Sequence, residues 1–217
     1  MSKKYRSIES IFDAISKDYS WRIHELSSVK RFAETAKKDL ENMAIRQGVL
    51  MLYAHWEGFI KFTATEYLQF VVDCKYKQCD LTDNFRGIML RKNYKGQSDS
   101  HSIKHHISAV KLMLSDDAYV IFNPRDQIKT KSNLSYQLFE NILETLAIDK
   151  TDYISKKHQI DVSLLACRNK IAHGEYDIPG KQTFLELFDD IVGLISHFKD
   201  DIQNLCITEG FKKNRAI

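Results

Sequence analysis

The stretch NMAIRQGVLMLYAHWEGFIKFTATEYLQFVVD, residues 42–73, is the most strongly apolar segment of the chain. Its apolar side chains recur at helical spacing through about nine turns, and no proline interrupts them. A helix that is apolar around most of its circumference is stable only when other elements surround it. The segment is therefore predicted to be the central helix of a bundle, with Gly48 and Gly58 at points where another backbone comes close.

Residues that break helices are rare in the rest of the chain, which has only 8 glycines and 2 prolines in 217 residues. This shortage disfavours sandwiches, barrels and glycine-rich nucleotide-binding folds, because those folds have many tight turns. The prediction is one all-α domain over residues 1–217, an up-and-down helical bundle. Further helices are predicted over residues 8–40, as one long helix or two short ones, and over 135–148, 161–173 and 182–205. Their expected caps are Asn133 or Ser135, Asp161 and Gly174.

An insertion of loops and short helices, from about residue 76 to 126, is predicted to interrupt the bundle. Its polar stretch, residues 92–102, is expected to be an exposed loop between two shorter helices. Residues 119–122, Tyr-Val-Ile-Phe, fit either a short strand or a buried turn of helix, because periodicity does not separate the two at this length.

The overall charge gives little information about partners. Thirty-two Lys and Arg residues against 29 Asp and Glu give a net charge of +3, too small to indicate a nucleic-acid partner. The N-terminus lacks the apolar region and the cleavage site of a secretory signal. No apolar run approaches the roughly 20 residues that span a bilayer. We expect a cytoplasmic protein with four free cysteines and no membrane association.

Positive charge is concentrated between residues 86 and 111, where six Lys or Arg and three His residues accompany one acid, Asp99. Such a cluster fits either a surface that follows RNA phosphates or a solvated basic face. The candidate RNA-binding residues in it are Arg91, Lys92, Lys95 and Lys104. His101 and His105 have the spacing of a zinc pair but lack a third ligand, so no metal and no other cofactor is predicted.

The most informative motif is RNKIAHGE, residues 168–175, at the predicted end of a helix. Asn169 and His173 share one face of that helix, whereas Arg168 lies about 140° around it from His173. One copy of the motif therefore does not easily direct Arg168 and His173 at the same atom. A second copy related by a two-fold axis would supply the missing group, so the geometry predicts a homodimer with a composite site.

These side chains suit the cleavage of RNA by its own 2′-hydroxyl, a reaction that requires no metal. The His173 imidazole can remove or return a proton near neutral pH. Arg168 can form paired hydrogen bonds to the phosphate as charge develops on it. Asn169 can orient the imidazole or donate to a phosphate oxygen, and Lys170 can add a phosphate contact. The alternative is structural: Arg168 pairs with an acid or caps carbonyls, His173 stabilises a helix C-terminus, and Gly174 ends the helix.

Arg-Asn-x-x-Ala-His at the end of a helix resembles the HEPN superfamily (higher eukaryotes and prokaryotes nucleotide-binding domains), whose signature is Arg-x4-6-His. Similarity to stand-alone bacterial HEPN proteins of the MAE type is carried by LYAHWEGFIK (52–61), KSNL (131–134) and IAHGE (171–175). The resemblance covers about residues 40–200. It implies a helical up-and-down bundle, a dimer, and an endoribonuclease site formed by Arg168, Asn169 and His173.

Proteins of this kind often act as toxins or in defence against phage, and they cut tRNA or other RNA. The resemblance therefore also implies an RNA substrate and an antitoxin or a defence-system protein as partner. The insertion at about 76–126 departs from a minimal HEPN domain and leaves the choice of RNA open. The alternative is a catalytically silent HEPN-like helical module that binds RNA, a nucleotide or a protein partner.

Glu57 lies on the otherwise apolar central helix, where an acid without a partner is costly to bury. Our hypothesis is that Glu57 faces the helix of the motif and helps to hold Arg168 or His173. An ion pair with another basic residue at the edge of the core is the alternative.

Overall fold

One long helix, α2, runs through the middle of the bundle in a computed structural model that describes residues 7–94, 103–115, 117–176 and 178–213. The helices in these ranges are α1 (Ile8–Thr35), α2 (Lys38–Asp73), α3 (Asp83–Tyr94), α4 (Ile103–Leu114), α5 (Tyr136–Leu146), α6 (Thr151–Ile154), α7 (Cys167–Ala172) and α8 (Lys181–Ile207). A π-helical segment covers Gln159–Ala166, and short 3-10 turns cover Gln78–Asp80 and Pro124–Asp126. The described ranges contain isolated bridges but no strand, so the predicted all-α class is confirmed.

The central helix predicted from residues 42–73 is confirmed as α2, which ends at Asp73 and begins slightly earlier, at Lys38. α1 and α8 pack against it most extensively, and α5, α7 and the π-helical segment add contacts. Trp56, Phe59 and Tyr67 are fully buried within it. Full burial of each large apolar side chain contributes roughly 1.5–3 kcal/mol, so the surrounding helices are held to α2 by its apolar faces.

An aromatic cluster around Phe139 joins four helices. The ring centroid of Phe139 lies 5.0 Å from that of Trp56 on α2, 5.2 Å from that of Tyr153 on α6 and 5.9 Å from that of Phe198 on α8. The rings are inclined to one another, an arrangement that adds attraction beyond burial. Because Phe139 belongs to α5, the cluster fixes α5 and the segment leading into it against α2.

The flanking helices follow the predicted order. Residues 8–40 contain one long helix rather than two, and this helix ends at Thr35. Ser135 is the N-cap of α5, because its hydroxyl accepts a hydrogen bond from the Leu138 N–H. α8 covers the predicted residues 182–205 and extends slightly beyond them at both ends.

The two short helices predicted in the insertion are α3 and α4, whereas most of the predicted loop lies on residues 95–102, outside the described ranges. Residues 119–122 form neither a strand nor a turn of helix. They are joined to the segment before α3 by one bridge between Tyr119 and Lys77 and by a hydrogen bond from the Val120 N–H to the Tyr76 carbonyl. α4 packs on α3 and leaves apolar side chains exposed at Ile103, Ile107, Val110, Met113 and Leu114.

The glycines of α2 make room for side chains, so the prediction that backbones approach them is wrong. A Cβ atom at Gly48 would overlap Cζ of Phe184 on α8. A Cβ atom at Gly58 would lie 2.7 Å from Nη1 of Arg22 on α1. The space left by a glycine can be filled by an aromatic ring or a guanidinium as well as by another backbone. The sequence pattern does not show which of these groups is present.

Neither a membrane-spanning helix nor a metal-binding cluster is found in the described ranges. No helix there combines the length and the apolar character needed to cross a membrane. No group of three or more His, Cys, Asp or Glu side chains is arranged to hold a metal ion. The four cysteines lie in these ranges as free thiols, and burial raises the pKa of Cys206 to about 12, which keeps that thiol protonated.

Gly48→Ala is expected to destabilise the fold by about 1–3 kcal/mol, the usual effect of overpacking. The new methyl group would displace the buried Phe184 ring, which already packs on Phe188. Gly193→Ala in α8 is the matched control, because nothing lies within 4 Å of its Cβ position. There the higher helix propensity of alanine should stabilise by up to about 1 kcal/mol. Urea denaturation measures both variants, and shifts of the same sign would contradict this account of Gly48.

Candidate active site

The motif lies in α7 and at its C-terminal end, and α7 follows directly on the π-helical segment. A helix over residues 161–173 is therefore confirmed, but it begins earlier, so the prediction of Asp161 as its N-cap is wrong. The Asp161 carboxylate instead accepts a 2.6 Å hydrogen bond from the N–H of Tyr136, the first residue of α5. An acid inside one helix thus caps another helix, and local sequence does not reveal such a contact.

Gly174 fixes the end of α7. Its φ angle is +82°, the left-handed conformation predicted for this position. The Gly174 N–H donates to the Ile171 carbonyl at 3.1 Å, and the Glu175 N–H donates to the Lys170 carbonyl at 3.0 Å. These two hydrogen bonds form a Schellman motif. The chain turns sharply after His173, and the His173 side chain is exposed at the end of the helix.

Arg168 is partly buried and held on two sides. Its Nη1 atom donates a 2.7 Å hydrogen bond to Oδ1 of Asn169, and Nδ2 of Asn169 donates to Oδ1 of Asn133 at 3.2 Å. The Arg168 guanidinium carbon also lies 4.5 Å from the ring centroid of Tyr53 on α2, where the aromatic face attracts a cation. A guanidinium has five N–H donors, so Arg168 is positioned while donors remain for a phosphate.

Tyr53 connects Glu57 to Arg168. The Tyr53 hydroxyl accepts a 2.7 Å hydrogen bond from the Leu134 N–H. Burial, followed by hydrogen bonding with the Glu57 carboxylate, raises the pKa of Tyr53 well above its usual value, so the phenol stays protonated. The described contacts therefore link Glu57 to Arg168 through Tyr53. A direct role of Glu57 in holding Arg168 or His173 stays a prediction.

Arg168 and His173 lie at opposite ends of α7. The His173 N–H donates to the Asn169 carbonyl at 3.0 Å, which keeps Asn169 and His173 one turn apart on the same side of the helix. The step from Arg168 to His173 corresponds to about 140° of rotation. A single α7 therefore directs the Arg168 and His173 side chains to different sides.

Polar side chains on one face of α2 contact the site near Arg168 and also the turn that follows His173. Four polar residues follow each other on this face at helical spacing: Asn42, Arg46, Tyr53 and Glu57. The Arg46 Nη1 atom donates to the Glu175 carbonyl at 2.8 Å. The Asn42 side-chain amide donates to the Tyr176 hydroxyl at 3.0 Å. The turn after His173 is thereby tied to α2. Of this face, the sequence prediction includes only Glu57.

The predicted RNA-binding residues fall into two regions. Lys170 is exposed on α7, within the motif itself. Arg91 is exposed on α3, where it lines a cleft of about 390 Å³ between α3 and α5, and Lys104 is exposed on α4. The Lys92 side chain and the whole of Lys95 lie outside the described part of the chain. The main contacts of α3 are with α4 and α5 rather than α7, so RNA binding by this basic region stays a prediction.

Gly174→Ala is expected to lower the free energy of unfolding by about 1–2 kcal/mol, because a residue with a Cβ is unfavourable in the left-handed conformation. Nothing lies within 4 Å of that Cβ position, so the loss arises from the backbone alone. Gly87→Ala in α3 is the control, because Gly87 has no positive φ angle and nothing lies within 4 Å of its Cβ position. Equal losses for the two variants in urea denaturation would exclude the left-handed turn as the cause.

The helical bundle agrees with the result of comparison with known proteins. A family model described as RiboL-PSP-HEPN matches residues 17–204, a range that includes α7 and most of α1 and α8. No curated protein and no solved structure matches the chain. The match confirms the HEPN superfamily and does not distinguish the MAE type within it. The chain therefore belongs to the RiboL-PSP-HEPN family.

Proposed function

We propose that this protein is a metal-independent endoribonuclease that cleaves RNA by attack of a 2′-hydroxyl on the adjacent phosphate. The observation that carries the proposal is the pairing of a positioned Arg168 with an exposed His173 on one short helix. Membership of the RiboL-PSP-HEPN family supports it. The alternative of a silent binding module keeps the fold and lets the guanidinium bind a phosphate, but it gives the exposed His173 imidazole no chemical task.

The reaction requires a base, an acid and a group that stabilises charge on the phosphate. The His173 imidazole removes the proton of the 2′-hydroxyl, and the 2′-oxygen then attacks phosphorus. The bond from phosphorus to the 5′-oxygen breaks, and the protonated imidazole returns a proton to that leaving oxygen. The products are a 2′,3′-cyclic phosphate and a 5′-hydroxyl. Arg168 binds the non-bridging phosphate oxygens, Asn169 holds the guanidinium, and Lys170 contacts a neighbouring phosphate.

The proposed site combines two copies of the chain. Arg168 and His173 are separated by about 140° around α7, so one copy does not direct both at a single phosphate. Two α7 helices facing each other across a two-fold axis place Arg168 of one copy beside His173 of the other. The active form in this proposal is a homodimer.

The proposed biological role is that of a toxin or an effector of phage defence that cuts tRNA or other RNA. The similarity to MAE-type HEPN proteins supports this role, which also implies an antitoxin or another defence protein as partner. Expression in a bacterial host should arrest growth, and His173→Ala should relieve the arrest at equal protein level. Arrest by both proteins would contradict the role.

Cleavage of total RNA in the presence of EDTA tests the activity. His173→Ala should lower the rate by about 10²–10⁴, the usual contribution of a general acid–base group. Arg168→Ala should lower it by roughly 10²–10³, as for loss of a transition-state hydrogen-bond donor. His24→Ala and Arg31→Ala, both exposed on α1, are matched controls and should cleave like the wild type. Wild-type products should end in 2′,3′-cyclic phosphate, and equal rates in all five proteins would overturn the proposal.

Mixing two inactive variants tests the composite site. Subunit exchange between Arg168→Ala and His173→Ala creates heterodimers in which one site has both groups intact. Random exchange should restore about one quarter of the wild-type activity, because half of the dimers then hold one of two sites. Each variant alone stays inactive. A mixture that also stays inactive after demonstrated exchange would show that Arg168 and His173 act within one copy.

A further inference from the structure

The segment that leads into α5 contains a tight turn built from unusual residues. The Asn133 N–H donates to the Thr130 carbonyl at 3.0 Å, and the two residues between them, Lys131 and Ser132, have φ angles of +54° and +55°. Positive φ at both central positions is the pattern of a type I′ turn, which Asn and Gly normally occupy. A left-handed backbone is unfavourable for residues with a Cβ, so this turn is strained at two successive positions.

Hydrogen bonds from neighbouring elements hold the strained turn. The Leu134 N–H donates to the hydroxyl of Tyr53 on α2 at 2.7 Å. The Asn169 amide on α7 donates to Oδ1 of Asn133 at 3.2 Å. Thr130 and Leu134, on either side of the turn, are buried. Backbone strain persists where the surroundings determine the conformation, and it concentrates at functional sites.

The groups that hold the turn also hold Arg168. Tyr53 has the Arg168 guanidinium on its ring face and the Leu134 N–H on its hydroxyl. Asn169 accepts a hydrogen bond from Arg168 and donates one to Asn133. The turn and the guanidinium therefore belong to one network, and a shift of one relative to the other would break a hydrogen bond or the contact with the ring.

The exposed part of the turn offers phosphate-binding chemistry. The side chains of Lys131 and Ser132 are exposed, whereas Thr130 is 3% exposed and Leu134 is 0% exposed. In the ranges that the structure describes, no carboxylate pairs with Lys131. Lys and Ser side chains are common donors to nucleic-acid phosphates. The fold alone does not require these two residues, because Asn and Gly would form the same turn with less strain.

We propose that the Thr130–Asn133 turn is a substrate-binding subsite, in which Lys131 and Ser132 bind the RNA phosphate next to the one held by Arg168. The subsite rests on the proposed endoribonuclease function and names the residues that hold the strand beside the cleaved bond. Tyr53 and Asn133 are positioning residues, because they act on the RNA through the turn.

Binding of fluorescein-labelled oligouridylate, measured by anisotropy in the cleavage-deficient His173→Ala protein, tests the subsite. Adding Lys131→Ala should weaken binding roughly tenfold, the effect of losing one charge-assisted hydrogen bond. The slope of log affinity against log salt should fall by about 0.7, the value for one phosphate contact on a single strand. Lys131→Arg should restore most of the affinity. Lys17→Ala removes the same charge from the exposed surface of α1 and should leave binding unchanged.

Ser132→Gly separates a binding role from a structural one. Glycine relieves the left-handed strain and removes the hydroxyl, so the midpoint of urea unfolding should rise while RNA affinity falls. A purely structural turn would gain stability with no change in affinity. In cleavage assays, Lys131→Ala should raise KM more than it lowers kcat.

The outcomes distinguish the subsite from the proposed function. If Lys131→Ala binds and cleaves like the wild type while His173→Ala abolishes cleavage, the subsite is wrong and the nuclease assignment stands. If wild-type protein cleaves no RNA but its RNA binding depends on Lys131, the nuclease assignment is wrong and the binding surface stands. Equal weakening by Lys17→Ala and Lys131→Ala indicates a general charge effect and overturns the subsite.

Discussion

The burial of α2 between helices on several sides is the constraint on which the other elements depend. Phe59 meets Tyr19 of α1 with ring centroids 5.9 Å apart, and Trp56 meets Phe139 of α5 at 5.0 Å. Rotation of α2 about its axis would expose these rings, and a few kcal/mol is a large part of the stability of a domain. The core contacts therefore hold the polar face of α2 at a fixed angle. Because Tyr53 lies on that face, packing of the core determines where the Arg168 guanidinium rests.

Periodic features of the chain could be predicted from the sequence, and contacts between distant residues could not. The central helix, the last helix and the left-handed Gly174 follow from spacing and from the scarcity of Gly and Pro, which act locally. The carboxylate of Asp161 caps α5 rather than its own helix, and Gly48 admits a ring of α8. These two contacts depend on which helices become neighbours, which local spacing leaves open.

The candidate site likewise contains residues that the sequence identifies and residues whose role depends on contacts between distant parts of the chain. Arg168, Asn169 and His173 can be identified from the motif, because their residue types and spacing occur within one short segment of sequence. Tyr53 and Asn133 lie in segments that carry the family resemblance, but only the contacts of the folded chain connect them with Arg168 and Asn169. A signal for the α2 face does exist, because polar residues recur at positions 42, 46, 53 and 57 of an apolar helix. Glu57 draws attention by its charge, whereas a tyrosine at position 53 looks like an ordinary core residue.

The π-helical segment before α7 determines how α7 is rotated about its axis, and therefore how the site responds to insertions and deletions. Its hydrogen bonds span five residues rather than four, so it contains one residue more than an α-helix would need to reach the same point. Deletion of one residue between 159 and 166 would allow α-helical pairing with α7 in its present phase, whereas α-helical pairing with all eight residues retained would turn α7 by about 100° about its axis. Arg168 would then leave the ring of Tyr53 although every residue of the motif was unchanged. A working site therefore also requires the correct rotation of α7 about its axis. The sequence of the motif alone does not reveal that rotation.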